Sequence, residues 1–189
     1  MKNTIKLYAL LLILTGCAAG VKTVGEISLH PSGKGSAAYT RMDPAWVFEE
    51  KGVKISVSHA RAGEGSALVE GLLEKEYLLL KMRIENSSGS IVVFNPALAS
   101  LRDKTEDYKK PLDFTDFYAM TKDDPRMDLS GSGKLFYDLT ETVQPGQESS
   151  KLLAFKPLSK DAGGLDLVIK NLYIGPYTVD LSFPLEIKP

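Results

Sequence analysis

Side chains that carry acid–base and nucleophilic catalysis are sparse in this chain of 189 residues, which has two histidines and one cysteine, Cys17. His30 stands beside a proline, and His59 continues the apolar alternation of Val53 and Val57, which favours a packed histidine over a general base. The sequence has no HExxH or GxSxG pattern and no cysteine pair. Two carboxylates could still converge in three dimensions, as in glycosidases. We nevertheless expect no enzyme, no catalytic residue and no cofactor.

The acidic stretch around Asp123, Asp124 and Asp128 is a candidate for metal binding. Oxygen-rich loops can hold calcium, but this spacing does not match the alternate positions of an EF-hand loop. Lys122 and Arg126 also offset the negative charge. We therefore expect a solvated loop and no metal site.

Aromatic residues give the chain its best candidate for a binding surface. Phe114, Phe117 and Tyr118 stand at i, i+3 and i+4 in a long segment, about 110–135, which predicts a short helix capped by Asp113. One interpretation is that this stripe plugs the open end of the domain, because aromatics at helical spacing usually belong to a core. The other is a binding surface for a protein partner or a glycan, since long loops on rigid scaffolds often carry binding.

The first residues have the layout of an export signal. Lys2 and Lys6 are positive, residues 7–14 are continuously apolar, and the small residues Thr15 and Gly16 precede Cys17. The apolar run is shorter than the roughly 20 residues that a helix needs to span a bilayer. We expect residues 1–16 to be a signal peptide and no helix to cross the membrane.

The quartet from Leu14 to Cys17 resembles the lipobox of bacterial lipoproteins. That resemblance implies that Cys17 is acylated and becomes the mature first residue, so that the protein is held in the cell envelope by lipid. Ala18 follows where an inner-membrane sorting aspartate would stand, which favours the outer membrane. The alternative is an ordinary cleaved signal with an incidental cysteine.

The charge of the chain argues against a nucleic-acid partner. Lysine and arginine number 23 against 24 acids, and removing residues 1–16 changes the formal net charge from −1 to −3. Nucleic-acid binding needs a positive field of one sign, which this scattered mixture does not provide.

The remaining organisation is a tether followed by one domain. Residues 17–41 are rich in Gly, Ala and Ser and predict a flexible tether behind the lipidated N-terminus. Residues 42–189 have the size of a single domain and alternate apolar and polar residues over several short runs, separated by turn residues such as Pro145-Gly146. Seven or eight such strands predict an all-β, Ig-like antiparallel sandwich, with a barrel as the alternative. We expect Trp46 to anchor this core and Pro184 to place the last strand at an edge.

A second resemblance covers most of this domain. The succession "EYLLLKMRIENSSGSIVVFNPALASLRDKTEDYK", then "VQPGQESSKLLAFKPL", then two further strands, is similar to the telokin-like, DUF4352-type domains of bacterial surface lipoproteins. That resemblance implies an Ig-like sandwich on a lipid anchor and transfers no catalytic residue. The long stretch between Lys109 and Phe136 departs from the family pattern.

Together these patterns predict a non-catalytic binding or accessory module of the envelope, with a protein as its partner. The alternatives are a lipoprotein that binds a small ligand or glycan through the same insertion, and an envelope hydrolase with an unrecognised carboxylate site.

Overall fold

A computed structural model describes residues 28–31, 38–42, 44–60, 66–103, 108–123, 129, 131–158 and 164–188 of the chain. Over these residues the protein is mostly strand, arranged as two antiparallel sheets, and it carries three short α-helices and one 3-10 helix. The predicted all-β sandwich is therefore confirmed. The strands are β1 (Ser28–Pro31), β2 (Tyr39–Met42), β3 (Ala45–Glu50), β4 (Val53–His59), β5 (Leu78–Asn86), β6 (Val92–Phe94), β7 (Ala99–Asp103), β8 (Tyr108–Lys109), β9 (Glu141–Val143), β10 (Glu148–Phe155), β11 (Gly164–Ile174) and β12 (Tyr177–Lys188). The helices are α1 (Ala67–Glu74), the 3-10 helix (Pro96–Leu98), α2 (Phe114–Asp123) and α3 (Ser132–Leu135).

The two sheets have different connectivity. The first has the order β1-β12-β11-β6-β9, and β7 also pairs with β11 and carries β8 on its other side. The second has the order β10-β5-β4-β3-β2. Strand β11 accommodates both β6 and β7 because they pair with different parts of its length, at residues 173–174 and 165–169.

The main core lies between the facing sides of the two sheets. In β4, Val53, Ile55 and Val57 are completely buried while Lys54 and Ser56 are half-buried on the other side, as the period of two predicts. Strand β5 of the same sheet repeats this alternation, and buried residues of β11 and β12 supply the opposing apolar surface. Burial of this surface is the main term that stabilises the sandwich.

Trp46 anchors the core, as predicted. Its side chain is 1% exposed on β3, and its indole Nε1 donates a 2.6 Å hydrogen bond to the carbonyl oxygen of Pro184 in the other sheet. The ring of Tyr39 meets it edge-on, with 6.3 Å between centroids. This tryptophan therefore connects the two sheets through packing and through one polar contact.

The number of strands and the domain boundary differ from the sequence expectation. The described residues form twelve strands rather than seven or eight, because β1, β2, β6, β8 and β9 have four residues or fewer, too few for an alternation to show. The segment 17–41 was predicted to be a tether, yet β1 pairs with β12 and β2 pairs with β3. Strands β1 and β2 are held by backbone hydrogen bonds to β12 and β3. No local pattern in the sequence reveals such pairing between distant segments. Residues 1–27, which include the predicted signal peptide and Cys17, lie outside the described residues, so both the signal peptide and the acylation stay predictions.

The position of the last strand is also corrected. β12 is not at an edge, because it lies between β1 and β11. The pairing between β1 and β12 ends with Pro31 opposite Leu185, one residue before it would reach Pro184. The missing N–H of Pro184 therefore removes no hydrogen bond from this pairing.

Helices cover part of the outer side of the second sheet and form a second, smaller core. Helix α1, which the sequence analysis did not predict, buries Leu68 and Leu72 there, and Leu79 of β5 and Leu152 of β10 point toward it. The segment predicted as an insertion, about 110–135, contributes α2 and α3 to the same layer. It therefore packs on the outside of a sheet and does not plug the open end of the sandwich. None of the described helices is long and apolar enough to cross a membrane.

Candidate binding cleft beside helix α2

Helix α2 begins at a reciprocal cap, as the sequence predicted for Asp113. The Asp113 Oδ1 atom accepts hydrogen bonds from the backbone N–H groups of Thr115 at 2.8 Å and Asp116 at 3.1 Å. Asp116 Oδ2 in turn accepts from the backbone N–H of Asp113 at 3.1 Å. This is the geometry of a capping box with aspartate in the third position, and it fixes where the helix starts.

The predicted aromatic stripe separates into two sides of the helix. Phe117 is 1% exposed and packs on Phe136, with 4.8 Å between ring centroids, so it belongs to the second core and is not available to a partner. At about 100° per residue, Tyr118 lies about 40° from Phe114 in one direction and Phe117 about 60° in the other. The three residues therefore do not share one surface, and Phe117 lies in the second core instead of on the predicted binding surface.

Phe114 and Tyr118 form the exposed side of α2. They are 49% and 51% exposed, and their rings stack with 6.4 Å between centroids and 19° between planes. The Nζ atom of Lys122 lies 5.1 Å from the centre of the Tyr118 ring, a cation–π contact one turn further along. We call Phe114 and Tyr118 the aromatic pair.

A cleft of about 440 Å³ opens beside the aromatic pair. Three segments that are distant in the sequence line it: residues 95–97 at the 3-10 helix, residues 110–115 at the start of α2, and residues 137–140 before β9. Its volume lies in the range of about 300–1,000 Å³ that is usual for ligand sites. Phe114 belongs both to the cleft wall and to the aromatic pair, so the two features are continuous.

Two of the three lining segments are attached to strand β10. The Leu112 N–H donates to the carbonyl of Ala154 at 2.7 Å, and the Tyr137 N–H donates to the carbonyl of Leu152 at 2.9 Å. These bonds occupy the side of β10 that faces away from β5. The cleft walls are thus fixed to the sandwich through backbone hydrogen bonds.

Side chains hold the remaining segment, residues 95–97, and add to the support of Tyr137. Asn95 caps the 3-10 helix, its Oδ1 accepting from the Ala97 N–H at 3.0 Å. The Tyr137 hydroxyl lies 3.1 Å from the carbonyl oxygen of Ser149, and its ring meets Phe94 edge-on at 5.1 Å. Burial raises the pKa of the Tyr137 phenol well above its ordinary value.

The cleft combines apolar walls with two charged groups that hold no partner among the described residues. Pro96, Pro111 and Leu139 contribute apolar surface, and Leu139 is 68% exposed. Asp138 also lines the cleft and is only 9% exposed, yet its carboxylate has no hydrogen bond or ion pair within the described part of the chain. Lys110 lies on the same lining without an ion pair there.

Only one wall of this cleft is marked by a pattern in the sequence. Phe114 and Asp113 were singled out, but residues 95–97 and 137–140 were not, because nothing local marks segments that meet only after folding. The acidic stretch considered for calcium is outside the described residues from Asp124 to Asp128, and the described residues hold no cluster of three or more His, Cys, Asp or Glu that could bind a metal.

Comparison with known proteins gives a distant structural likeness. No family model matches the chain, and no curated protein matches it. Among solved structures, the crystal structure of the yjhA protein from Bacillus subtilis is similar over 72% of this chain and 93% of that chain, with a TM-score of 0.44 and 15% sequence identity.

Proposed function

We propose that this protein is a non-catalytic binding or accessory module of the cell envelope that binds a protein partner. A lipid on Cys17 holds it in the membrane, and the outer membrane is the favoured location. The lipobox resemblance and the strand order similar to telokin-like lipoprotein domains support the anchor and the setting. The observation that carries the binding role is the aromatic pair, exposed beside the cleft on a helix whose opposite side is fixed in a core.

Physical reasons favour binding at this surface. Two stacked rings keep little conformational freedom, so ordering them on a partner costs less entropy than ordering flexible side chains. Aromatic residues next to a concave pocket are the usual centres of binding energy in interfaces. Loops fixed to a rigid scaffold, as the cleft walls are fixed to β10, are also typical of binding sites.

Crosslinking in intact cells of the native host, followed by purification and mass spectrometry, tests the anchor and the partner together. Wild type and Cys17→Ala are compared. We expect one dominant crosslinked protein with the acylated wild type and its loss when the Cys17→Ala protein leaves the membrane. If the wild type is acylated and membrane-bound but no protein is enriched, the partner hypothesis is wrong.

The cleft favours a second candidate, the binding of a small ligand or a glycan. A volume of about 440 Å³ is large enough for a small molecule or a disaccharide-sized group. Thermal denaturation with purified envelope fragments distinguishes this candidate. A saturable rise in the melting temperature that disappears in Phe114→Ala supports it, and the absence of a shift with every fragment excludes those fragments as ligands.

A further inference from the structure

The carboxylate of Asp138 has an unused capacity for hydrogen bonds inside the cleft. It is nine-tenths buried, and no donor within the described residues reaches it. Its oxygens are not both buried and unpartnered, so the carboxylate reaches the water of the open cleft, where a cation that enters can replace that water with charge-assisted hydrogen bonds. Asp113, in the same cleft, is different because its Oδ1 already accepts from the N–H groups of Thr115 and Asp116.

The surroundings of Asp138 fit a long side chain that ends in a cation. Pro96, Pro111, Phe114 and Leu139 provide apolar wall, and this kind of surface packs well against a methylene stem. A carboxylate at the side of such a wall pairs with an ammonium or a guanidinium head through charge-assisted hydrogen bonds. Lysine and arginine combine the two parts in one side chain.

We propose that the cleft receives a lysine or arginine side chain of the protein partner, with its cationic head on the Asp138 carboxylate and its stem along Phe114. This inference rests on the partner-binding function proposed above and names the chemistry that the partner presents. Asp138 is thereby the residue that determines specificity, while the aromatic pair supplies contact area.

Lys110 opposes this cation, and its role follows from its exposure. It lies on the cleft lining without an ion pair among the described residues, and its own flexible stem lets the ammonium turn toward water. We expect the two positive charges to repel each other within the cleft, which weakens the binding of the incoming cation. Lys110→Gln therefore binds a basic side chain more tightly than wild type, by about two- to fivefold for a screened exposed charge.

The direct test uses two small probes that differ only in charge at the end of the stem. N-acetyl-lysine methylamide and N-acetyl-norleucine methylamide are titrated to millimolar concentrations into the isotopically labelled full chain in detergent micelles, and amide resonances are followed by NMR. We expect the lysine probe alone to shift the amides of Phe114, Asp138 and Leu139. Equal shifts with norleucine, or no shift with lysine, overturn the proposal.

Two substitutions of the same kind make the assignment specific. Asp138→Asn keeps the size of the side chain and removes its charge, so we expect the lysine-dependent shifts to vanish. Asp166→Asn makes the same change on β11, outside the cleft lining, and we expect the shifts to remain. Equal loss in both variants, or none in Asp138→Asn, contradicts a role for Asp138.

Thermal unfolding separates recognition from a structural role. Because the Asp138 carboxylate holds no partner among the described residues, we expect Asp138→Asn to melt at the same temperature as wild type or higher. A clear fall in the melting temperature would assign Asp138 to the fold instead and overturn the proposal.

Partner capture in cells identifies the source of the cation and separates this inference from the proposed function. Loss of the crosslinked partner in Asp138→Asn, as in Phe114→Ala, supports a basic side chain carried by that partner. If Phe114→Ala loses the partner and Asp138→Asn keeps it, the proposed function stands and this inference is wrong. If Asp138→Asn keeps the partner but no longer responds to the lysine probe, the cleft takes a free amine, which also overturns the proposal.

Discussion

Asn86 shows how a single buried amide can hold three elements together. Its Nδ2 donates to the carbonyls of Ser90 at 2.8 Å and Val143 at 2.9 Å, and its Oδ1 accepts from the N–H of Ser88 at 3.0 Å and from the Ser88 hydroxyl at 2.6 Å. Every hydrogen-bonding position of the amide is thus in use. The end of β5, the following turn and β9 are connected through this one side chain.

Asn86→Ala tests that connection. It removes the buried donor to the Val143 carbonyl oxygen and the acceptor of the turn at Ser88, so we expect the free energy of unfolding to fall by about 2–4 kcal/mol. Chemical denaturation followed by tryptophan emission measures it. Asn95→Ala is the control, because it removes one exposed cap and costs about 1 kcal/mol. A loss in Asn86→Ala no larger than in this control would contradict the account.

Tyr137 gives a pH dependence with a definite sign. Burial raises the pKa of its phenol in the folded protein above the ordinary value of 10.0, so the folded state holds this proton more tightly than the unfolded state. The resulting stabilisation is complete below pH 10 and is lost progressively as the pH rises above 10. We expect the free energy of unfolding to fall less steeply above pH 10 in Tyr137→Phe than in wild type, as measured by urea denaturation at several pH values. Parallel curves for the two proteins would exclude this role.

At the scale of elements, helix α2 divides cleanly between a structural and an exposed side. Phe117 fills the second core against Phe136, while Phe114 and Tyr118 contact each other and the solvent. The hydrogen bonds from Leu112 and Tyr137 to β10 hold the residues on either side of this layer. The helix is therefore positioned by one side and free to bind with the other.

Alanine substitutions along α2 measure this division. Phe117→Ala opens a cavity in a packed cluster, so we expect it to lower the free energy of unfolding by about 3–5 kcal/mol. Phe114→Ala and Tyr118→Ala change exposed residues and are expected to cost about 0.5 kcal/mol or less. Thermal and denaturant unfolding of the three variants provide the comparison. A large loss in Tyr118→Ala would mean that the aromatic pair is part of the fold.

The sequence predicted those elements whose signal is local. The alternation of β4, β5 and β12 and the cap at Asp113 could be read directly, because each depends on residues a few positions apart. Strands β1 and β2 could not, since four residues carry too little pattern and their pairing partners lie elsewhere. The spacing of Phe114, Phe117 and Tyr118 predicted the helix correctly, but only the neighbouring layer decides which of its sides is buried.

For the whole molecule, the arrangement consists of a sandwich with its own core and a helical layer with a second one. The cleft lies where three segments from different parts of the chain converge. The spacing of apolar residues along the sequence therefore does not indicate it. The charged group that we assign to recognition, Asp138, had no motif around it that could have identified it in the sequence. Physical reasoning from the sequence therefore predicts the scaffold well and the binding site only in the part that α2 contributes.

Capture of the partner by surface variants in the native host is the most direct test of the binding role. The full chain carrying Phe114→Ala and Tyr118→Ala together is compared with wild type and with Tyr177→Ala, a control that removes an exposed tyrosine from the first position of β12. We expect the double variant, acylated and folded like wild type, to lose the crosslinked partner by about tenfold or more, while Tyr177→Ala retains it. Retention of the partner by the double variant would contradict the assignment of this surface.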